Sequence, residues 1–283
     1  MTLQILFLFL FGVVLGSFLN VLILRYELGG PVFGRQLKGR SYCPHCNRTL
    51  SWYELIPIIS FVVQLGKCRN CGEKISLQYP VVEIISGVIV ATIPQILGFT
   101  PLALIWSTTL LILLVISFID IRHYVIPDAL TIIIALLGIV ATTIIVMSDA
   151  PLFALIPGTF LGDYAFVFSF TNNPWLLRLS AAFIGGAFFS SIILFSRGKA
   201  MGSGDAKLIT AVGILIGWPD ALLVMMIAFI TGAIVGIIML TGKKKKFKDA
   251  LPFGPFIALG VMVVVYFGYD IISLYFRFLH LGV

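Results

Sequence analysis

Two aspartates, Asp120 and Asp205, stand at the ends of long apolar runs, in Ser117-Phe-Ile-Asp120-Ile-Arg122-His123 and Met201-Gly202-Ser203-Gly204-Asp205-Ala-Lys207. A carboxylate at membrane depth is expensive and reads as functional until a partner accounts for it. Two of them held close in a low-dielectric site cannot both ionise easily, so they share a proton. One then activates water as general base while the other protonates or polarises a scissile carbonyl. Their titration belongs to the pair, and the sequence leaves open which is which. Gly202 and Gly204 remove side-chain bulk beside Asp205 and let a peptide backbone come near. Taken singly, Asp205 also suits the N-cap of a helix, and Asp120 also suits a pairing with Arg122 or His123.

The four cysteines form two C-x-x-C pairs, Cys43-Pro-His-Cys46 and Cys68-Arg-Asn-Cys71, with 21 residues between. Each pair offers two thiolates from one tight turn, and two such turns complete a tetrahedral site for Zn²⁺ with no open position, hence a structural one. A pair of disulfides is the weaker reading if the segment faces a reducing cytosol. His45, inside one turn, reads as solvated rather than as a fifth ligand. The apolar stretch Trp52–Leu65 between the pairs either lies on the membrane surface as a short helix or forms the small core of the zinc module. Three further polar residues lie near span ends. Glu83, following Tyr79-Pro80, sits just inside a span and could orient a partner or hold a charge from the zinc module. Asp128, following Pro127 and opening an apolar run, reads as a helix cap. Asn20 lies within the first apolar run, where Gly12 and Gly16 suit close helix packing.

The elements that must position these groups follow from composition. Of 283 residues, 60% are hydrophobic and only 11% charged, against about 25% charged in an ordinary soluble domain. With a mean hydropathy of +1.10, this excludes a soluble globular protein, a disordered chain and a nucleic-acid binder working through a broad basic face. Apolar runs near 3–24, 81–99, 101–119, 129–147, 175–196, 205–218, 221–241 and 252–276 predict about eight transmembrane helices in an all-α polytopic fold. The first run has no preceding Lys or Arg, lacks a small-x-small cleavage site and is followed by Arg25, so it reads as a permanent span rather than a signal peptide.

Charge sets the orientation. With both termini outside, the inner loops 25–80, 120–128, 197–204 and 242–251 hold 16 of the 19 Lys and Arg residues. The Lys243-Lys-Lys-Lys246-Phe-Lys248 run then reads as a topology anchor on acidic lipid. The same topology puts Asp120 and Asp205 at one inner level, because their spans run in opposite directions. The organisation expected is a first helix over 1–24, a small cytoplasmic zinc-binding insert over 25–80 that holds all four cysteines, and a seven-helix catalytic membrane domain over 81–283. Within the last, 148–174 is broken by Pro151, Pro157-Gly158 and Asn172-Asn173-Pro174 and reads as an external loop.

These motifs together resemble the prepilin peptidases, or type IV leader peptidases, of the GxGD intramembrane aspartyl protease class. The resemblance covers nearly the whole chain in order. It rests on Gly16-Ser-Phe-Leu-Asn20-Val with Arg25, the paired cysteines, Tyr79-Pro80-Val-Val-Glu83, the Asp120 segment ending Ile-Pro127-Asp128, and Gly202-Ser-Gly-Asp205-Ala-Lys207. It implies an inner-membrane endopeptidase that removes the leader of type IV prepilins or pseudopilins on the cytoplasmic side, with Asp120 and Asp205 as catalytic pair. Gly202, Gly204, Lys207, Glu83 and Asp128 would be supporting residues. Members that keep the cysteine domain commonly also methylate the new N-terminal amine with S-adenosylmethionine. Gly66 and Lys67 fall where the family's methylation determinants lie, and Asn20 could face the same site. Their blander readings are a turn leading into a zinc knuckle and an interhelical hydrogen bond. No Gly-rich strand–turn–helix segment exists for a soluble nucleotide-type methyltransferase.

Two other classes compete. A proton- or cation-coupled transporter would use the aspartates as relay groups, but unlike halves and carboxylates near one edge count against it. A non-catalytic assembly protein would explain the cysteines and leave the aspartates idle.

Overall fold

The computed structural model describes residues 2–34, 39–147, 158–199, 201–241 and 251–278. The Lys243–Lys248 run and residues 148–157 of the expected external loop lie outside them. Among the described residues the fold is helical, without a named strand. Ten helices follow in order: α1 Thr2–Leu24, α2 Ile59–Val63, α3 Gln78–Leu97, α4 Pro101–His123, α5 Asp128–Met147, α6 Ala165–Phe168, α7 Pro174–Ser196, α8 Ser203–Ile216, α9 Asp220–Thr241 and α10 Gly254–Phe278. Seven of them, α1, α3, α4, α5, α7, α9 and α10, are long and apolar enough to cross a membrane. The eighth expected run forms α8, whose 14 residues extend only about 21 Å at 1.5 Å per residue.

The chain divides into two compact units, Met1–Val115 and Ile116–Val283. In the first, α1 pairs with α3. Small residues make this possible: a Cβ at Gly12 would stand 2.6 Å from the Ser86 carbonyl oxygen, and one at Gly16 would stand 2.7 Å from Glu83 Cα. Close backbone approach is what holds helices together in a solvent as apolar as their side chains. Asn20, one turn beyond Gly16 on the same face, donates from Nδ2 to the Tyr79 carbonyl at 3.1 Å.

In the second unit α8 packs against both α5 and α7, and α9 packs against α10. Here too a glycine sets the distance: a Cβ at Gly213 would stand 2.7 Å from Ala182 N. Helix α7 starts where the sequence directs. Asn173 caps it, with Oδ1 accepting from Trp175 N at 2.9 Å, and Pro174 occupies the first turn.

Residues 158–173 contain nothing longer than the four-residue α6, so no further span arises there. The segment is pinned through Asp220 at the start of α9. Asp220, fully buried, accepts from the Thr159 hydroxyl at 2.6 Å and from Phe160 N–H at 2.7 Å. Arg178 of α7, 3% exposed, lies close enough to Asp220 for electrostatic attraction. Leu161 and Ala165 then bury against Leu177, with Trp218 packed beside them. Asp220, next to Pro219, is therefore an anchor, and Arg178 is a buried cation.

Removing a buried acceptor strands its donors and costs about 2 kcal/mol or more. Asp220→Ala is accordingly expected to lower the melting temperature in detergent by several degrees, and Thr159→Val by less. A melting temperature unchanged in Asp220→Ala would show that this anchor carries no stability.

Candidate active site

Asp120 occupies the last turn of α4, and Asp205 the first turn of α8. They are 4% and 8% exposed. The field of the Asp120 carboxylate reaches Asp205, so the two groups that the sequence singled out 85 positions apart (205 − 120) share one site.

Each is held by a backbone N–H. Asp205 Oδ2 accepts from Gly202 N–H at 3.2 Å. Gly202 is the N-cap of α8, so Asp205 does not cap the helix itself; it lies three residues in and reaches back to the capping residue. Asp120 Oδ2 accepts from Gly254 N–H at 2.9 Å in a fully buried hydrogen bond, rather than pairing with Arg122. Gly254 opens α10, and first-turn N–H groups have no partner within their own helix.

Gly254 is the residue that sequence reasoning missed. Phe253 beside it plugs into an aromatic cluster, with ring centroids 5.8 Å from Phe189 and 5.1 Å from Phe229. That plug fixes where the N–H points. A Cβ at Gly254 would stand 2.8 Å from Asp120 Oδ2 and 3.4 Å from Ile126 Cδ1, and one at Gly204 would stand 3.1 Å from Ile126 Cβ. Ile126 thus lies against both glycines, an apolar wall common to the two carboxylates. The only available signal was Pro252-Phe-Gly-Pro255 at the head of an apolar run, which carries no acid–base chemistry of its own.

The other expected supporting residues separate. Asp128 does not act as the expected cap: its oxygens accept from Lys207 Nζ at 2.8 and 2.9 Å. Both side chains are more than half exposed, so the pair ties the start of α5 to α8 with little stabilisation. Glu83 belongs to the other unit. It accepts from Ile58 N–H at 2.8 Å and from the Ser17 hydroxyl, so it holds the backbone of the cysteine insert rather than a charge from it.

The four cysteines converge as expected. Their sulfurs all lie within 4.8 Å of one another, and Cys43 Sγ and Cys71 Sγ are 3.9 Å apart. Four ligands about 2.3 Å from a tetrahedral centre stand about 3.8 Å apart, so the residues fit a metal ion. All four thiols are free, with no disulfide among them. The two knuckles repeat one geometry: Cys43 N–H donates to the Arg48 carbonyl and Cys68 N–H to that of Glu73, and Asn47 and Gly72 occupy matching left-handed positions. The Arg48 N–H directed at Cys46 lowers that thiol to about 6, and the Cys71 N–H likewise lowers Cys68. His45 is exposed. None of the residues of α2 is buried, and Trp52, Ile59, Val62, Val63 and Leu65 are all exposed. The stretch is therefore not a module core.

Gly66, at φ +66°, takes a conformation that other residues adopt at a cost, and its missing side chain leaves room for the Phe61 ring. Gly66 and Lys67 belong to the turn into the second knuckle. Asn20 is in the helix pair, where its amide donates to the Tyr79 carbonyl.

Comparison with known proteins is decisive at this point. Residues 10–95 match the Bacterial Peptidase A24 N-terminal domain, and residues 107–237 match the Type IV leader peptidase family. A relative from Legionella pneumophila is 30% identical over 83% of this chain and 75% of its own length. One from Bacillus subtilis is 30% identical over 95% and 97%. This chain belongs to the type IV leader peptidase family. A third relative, from Pseudomonas aeruginosa, is 28% identical over 95% of the chain and 92% of its own length. All three bear the name prepilin leader peptidase/N-methyltransferase. No solved structure matches. Gly254 lies beyond the family-matched residues.

Because a methyl group at residue 254 would collide with Asp120 Oδ2, Gly254→Ala in this leader peptidase is expected to lower kcat for leader cleavage at least tenfold. KM should change less than threefold, since the substrate does not bind through this N–H. A variant with full kcat would show that the Gly254 contact does not position Asp120.

Proposed function

We propose that this chain removes the leader of type IV prepilin-like precursors with Asp120 and Asp205 as the catalytic pair, and then methylates the new N-terminal amine. The observation that carries the peptidase reading is the pair itself: two buried carboxylates in electrostatic contact, each oriented by a backbone N–H. A pair holding one proton between two carboxylates supplies both roles that peptide hydrolysis needs. One takes a proton from water as its oxygen adds to the scissile carbonyl carbon. The other gives its proton to the carbonyl oxygen. Collapse of the resulting diol breaks the C–N bond, and the leaving nitrogen takes a proton from the pair.

The proposed setting is the bacterial inner membrane, with the termini outside and the cysteine insert and aspartate pair toward the cytoplasm, as the distribution of Lys and Arg supports. In this reading the insert binds structural Zn²⁺ through Cys43, Cys46, Cys68 and Cys71, and the bare apolar side chains of α2 rest on the lipid surface. S-adenosylmethionine is the methyl donor, consistent with the names of the relatives. Nothing in the geometry favours a relay for transport, since the hydrogen-bond donors given for the two carboxylates are the backbone N–H groups of Gly254 and Gly202.

Asp120→Asn and Asp205→Asn are each expected to abolish cleavage of a prepilin in detergent or liposomes, with a loss of at least a thousandfold and unchanged thermal melting. Efficient cleavage by both variants would overturn the assignment. Purified protein is expected to hold one zinc per chain by elemental analysis, and Cys43→Ser to lose most of it. Zinc-free protein with four intact thiols would remove the metal from this account.

A further inference from the structure

Glu83 is a buried carboxylate that the peptidase chemistry does not use. It lies in the second turn of α3, 5% exposed, against the close-packing Gly16 of α1. The donors that reach it, Ile58 N–H and the Ser17 hydroxyl, are neutral. Among the described residues the ion pairs are Arg48–Glu54 and Lys207–Asp128, and no Lys, Arg or His pairs with Glu83.

A second group points the same way. Asn20 is 1% exposed, and with its Nδ2 spent on the Tyr79 carbonyl, its Oδ1 is buried without a partner. In an α-helix the Tyr79 carbonyl also receives the N–H of residue 83, so the Asn20 amide stands at the level of Glu83 itself. Burying a polar atom with no hydrogen bond costs about 1–3 kcal/mol, and an uncompensated charge costs more. Asn20 Oδ1 and Glu83 are thus buried acceptors, one of them a carboxylate, and the donors that reach Glu83 carry no charge. A compact cation with several N–H groups supplies what is missing. A primary ammonium does so with three rotatable donors, whereas a guanidinium needs two coplanar acceptors.

We infer that Glu83 and Asn20 form a binding site for a primary ammonium group, namely the free α-amine of the cleaved product held for methylation. This rests on the proposed second activity. In the site Glu83 accepts one proton from the ammonium, which frees the nitrogen lone pair. The nitrogen then forms a bond to the methyl carbon of a sulfonium donor as that carbon's bond to sulfur breaks. A neutral thioether leaves, and the nitrogen carries the positive charge. Asn20 Oδ1 orients the amine by accepting a second N–H.

Glu83→Gln keeps an oxygen for Ile58 N–H and Ser17 while removing the charge, which separates ammonium binding from mere attachment of the insert. Full-length protein in detergent is given a mature-product peptide with a free α-amine, and in parallel its α-N-acetyl form. Wild type is expected to bind the free amine at least tenfold more tightly, and Glu83→Gln to abolish that preference. With S-adenosylmethionine and an uncleaved prepilin, the ratio of methylated to unmethylated mature product is expected to fall at least tenfold in Glu83→Gln and about as much in Asn20→Leu. Two results would overturn the inference. One is unchanged amine preference and methylated fraction in Glu83→Gln. The other is a parallel fall of cleavage, methylation and zinc content, which would make Glu83 only a latch for the insert. If wild type cleaves but methylates nothing, the second activity itself fails, and the binding comparison still decides whether the site takes an amine.

Discussion

The expense of a carboxylate in a low-dielectric surround shapes this molecule, and one device answers it four times. Asp120 takes the N–H of Gly254, Asp205 that of Gly202, Asp220 that of Phe160, and Glu83 that of Ile58. Three of these donors sit at the start of a helix, α10, α8 and α2, where intrahelical bonding leaves N–H groups unused. At Asp220 the Arg178 cation adds a counter-charge, whereas at the other three the N–H offers a directed hydrogen bond without one. A lysine in its place would hold a carboxylate ionised and pair it permanently. A backbone donor orients the group and leaves its proton free to move, which is what acid–base work requires.

This explains why the Asp120 and Asp205 site was largely legible in the sequence while its support was not. The carboxylates, the two C-x-x-C pairs and the run of apolar segments are signals carried by residue type. Backbone donors are not, because every residue except proline has one. Gly254 is 134 positions from Asp120, in a motif with no titratable group, and only the packing of Phe253 among Phe189 and Phe229 gives its N–H a direction. Asp220 was hidden for a similar reason: next to Pro219 it looks like an ordinary turn residue, and its partners Thr159 and Phe160 are 61 and 60 positions away. Asp128 shows the opposite error. Its local context suits a cap, yet the side chain turns to Lys207 in another helix, and a long-range partner outweighs a local propensity.

The cysteine insert was legible for a physical reason too. Its geometry is set within each knuckle, by bonds between residues five apart such as Cys43 to Arg48 and Cys68 to Glu73, so spacing alone carries it. The stretch between the knuckles is different. Its composition fits both a core and a surface helix, and only the tie between Ile58 and Glu83 distinguishes them. That tie fastens the backbone immediately before α2 to a membrane-length helix, which leaves the apolar side chains of α2 outward.

The short α8 completes the account of how a carboxylate at the edge of an apolar run comes to lie at depth. At its C-terminal end α8 is registered against the start of α7, where Trp218 N–H donates to the Leu177 carbonyl. Gly213 lies against Ala182 and Ile209 against Gly185, so the two helices run antiparallel and Asp205 falls level with about residue 189 of α7. Helix α7 continues to Ser196, seven residues further, which is roughly 10 Å. The start of α8 therefore lies below the end of its neighbour. A full-length helix at this position would carry Asp205 up to the end of α7, where water would solvate it and the field of Asp120 would be screened. The length of α8, and not only the identity of its residues, is what keeps Asp205 buried and within the field of Asp120.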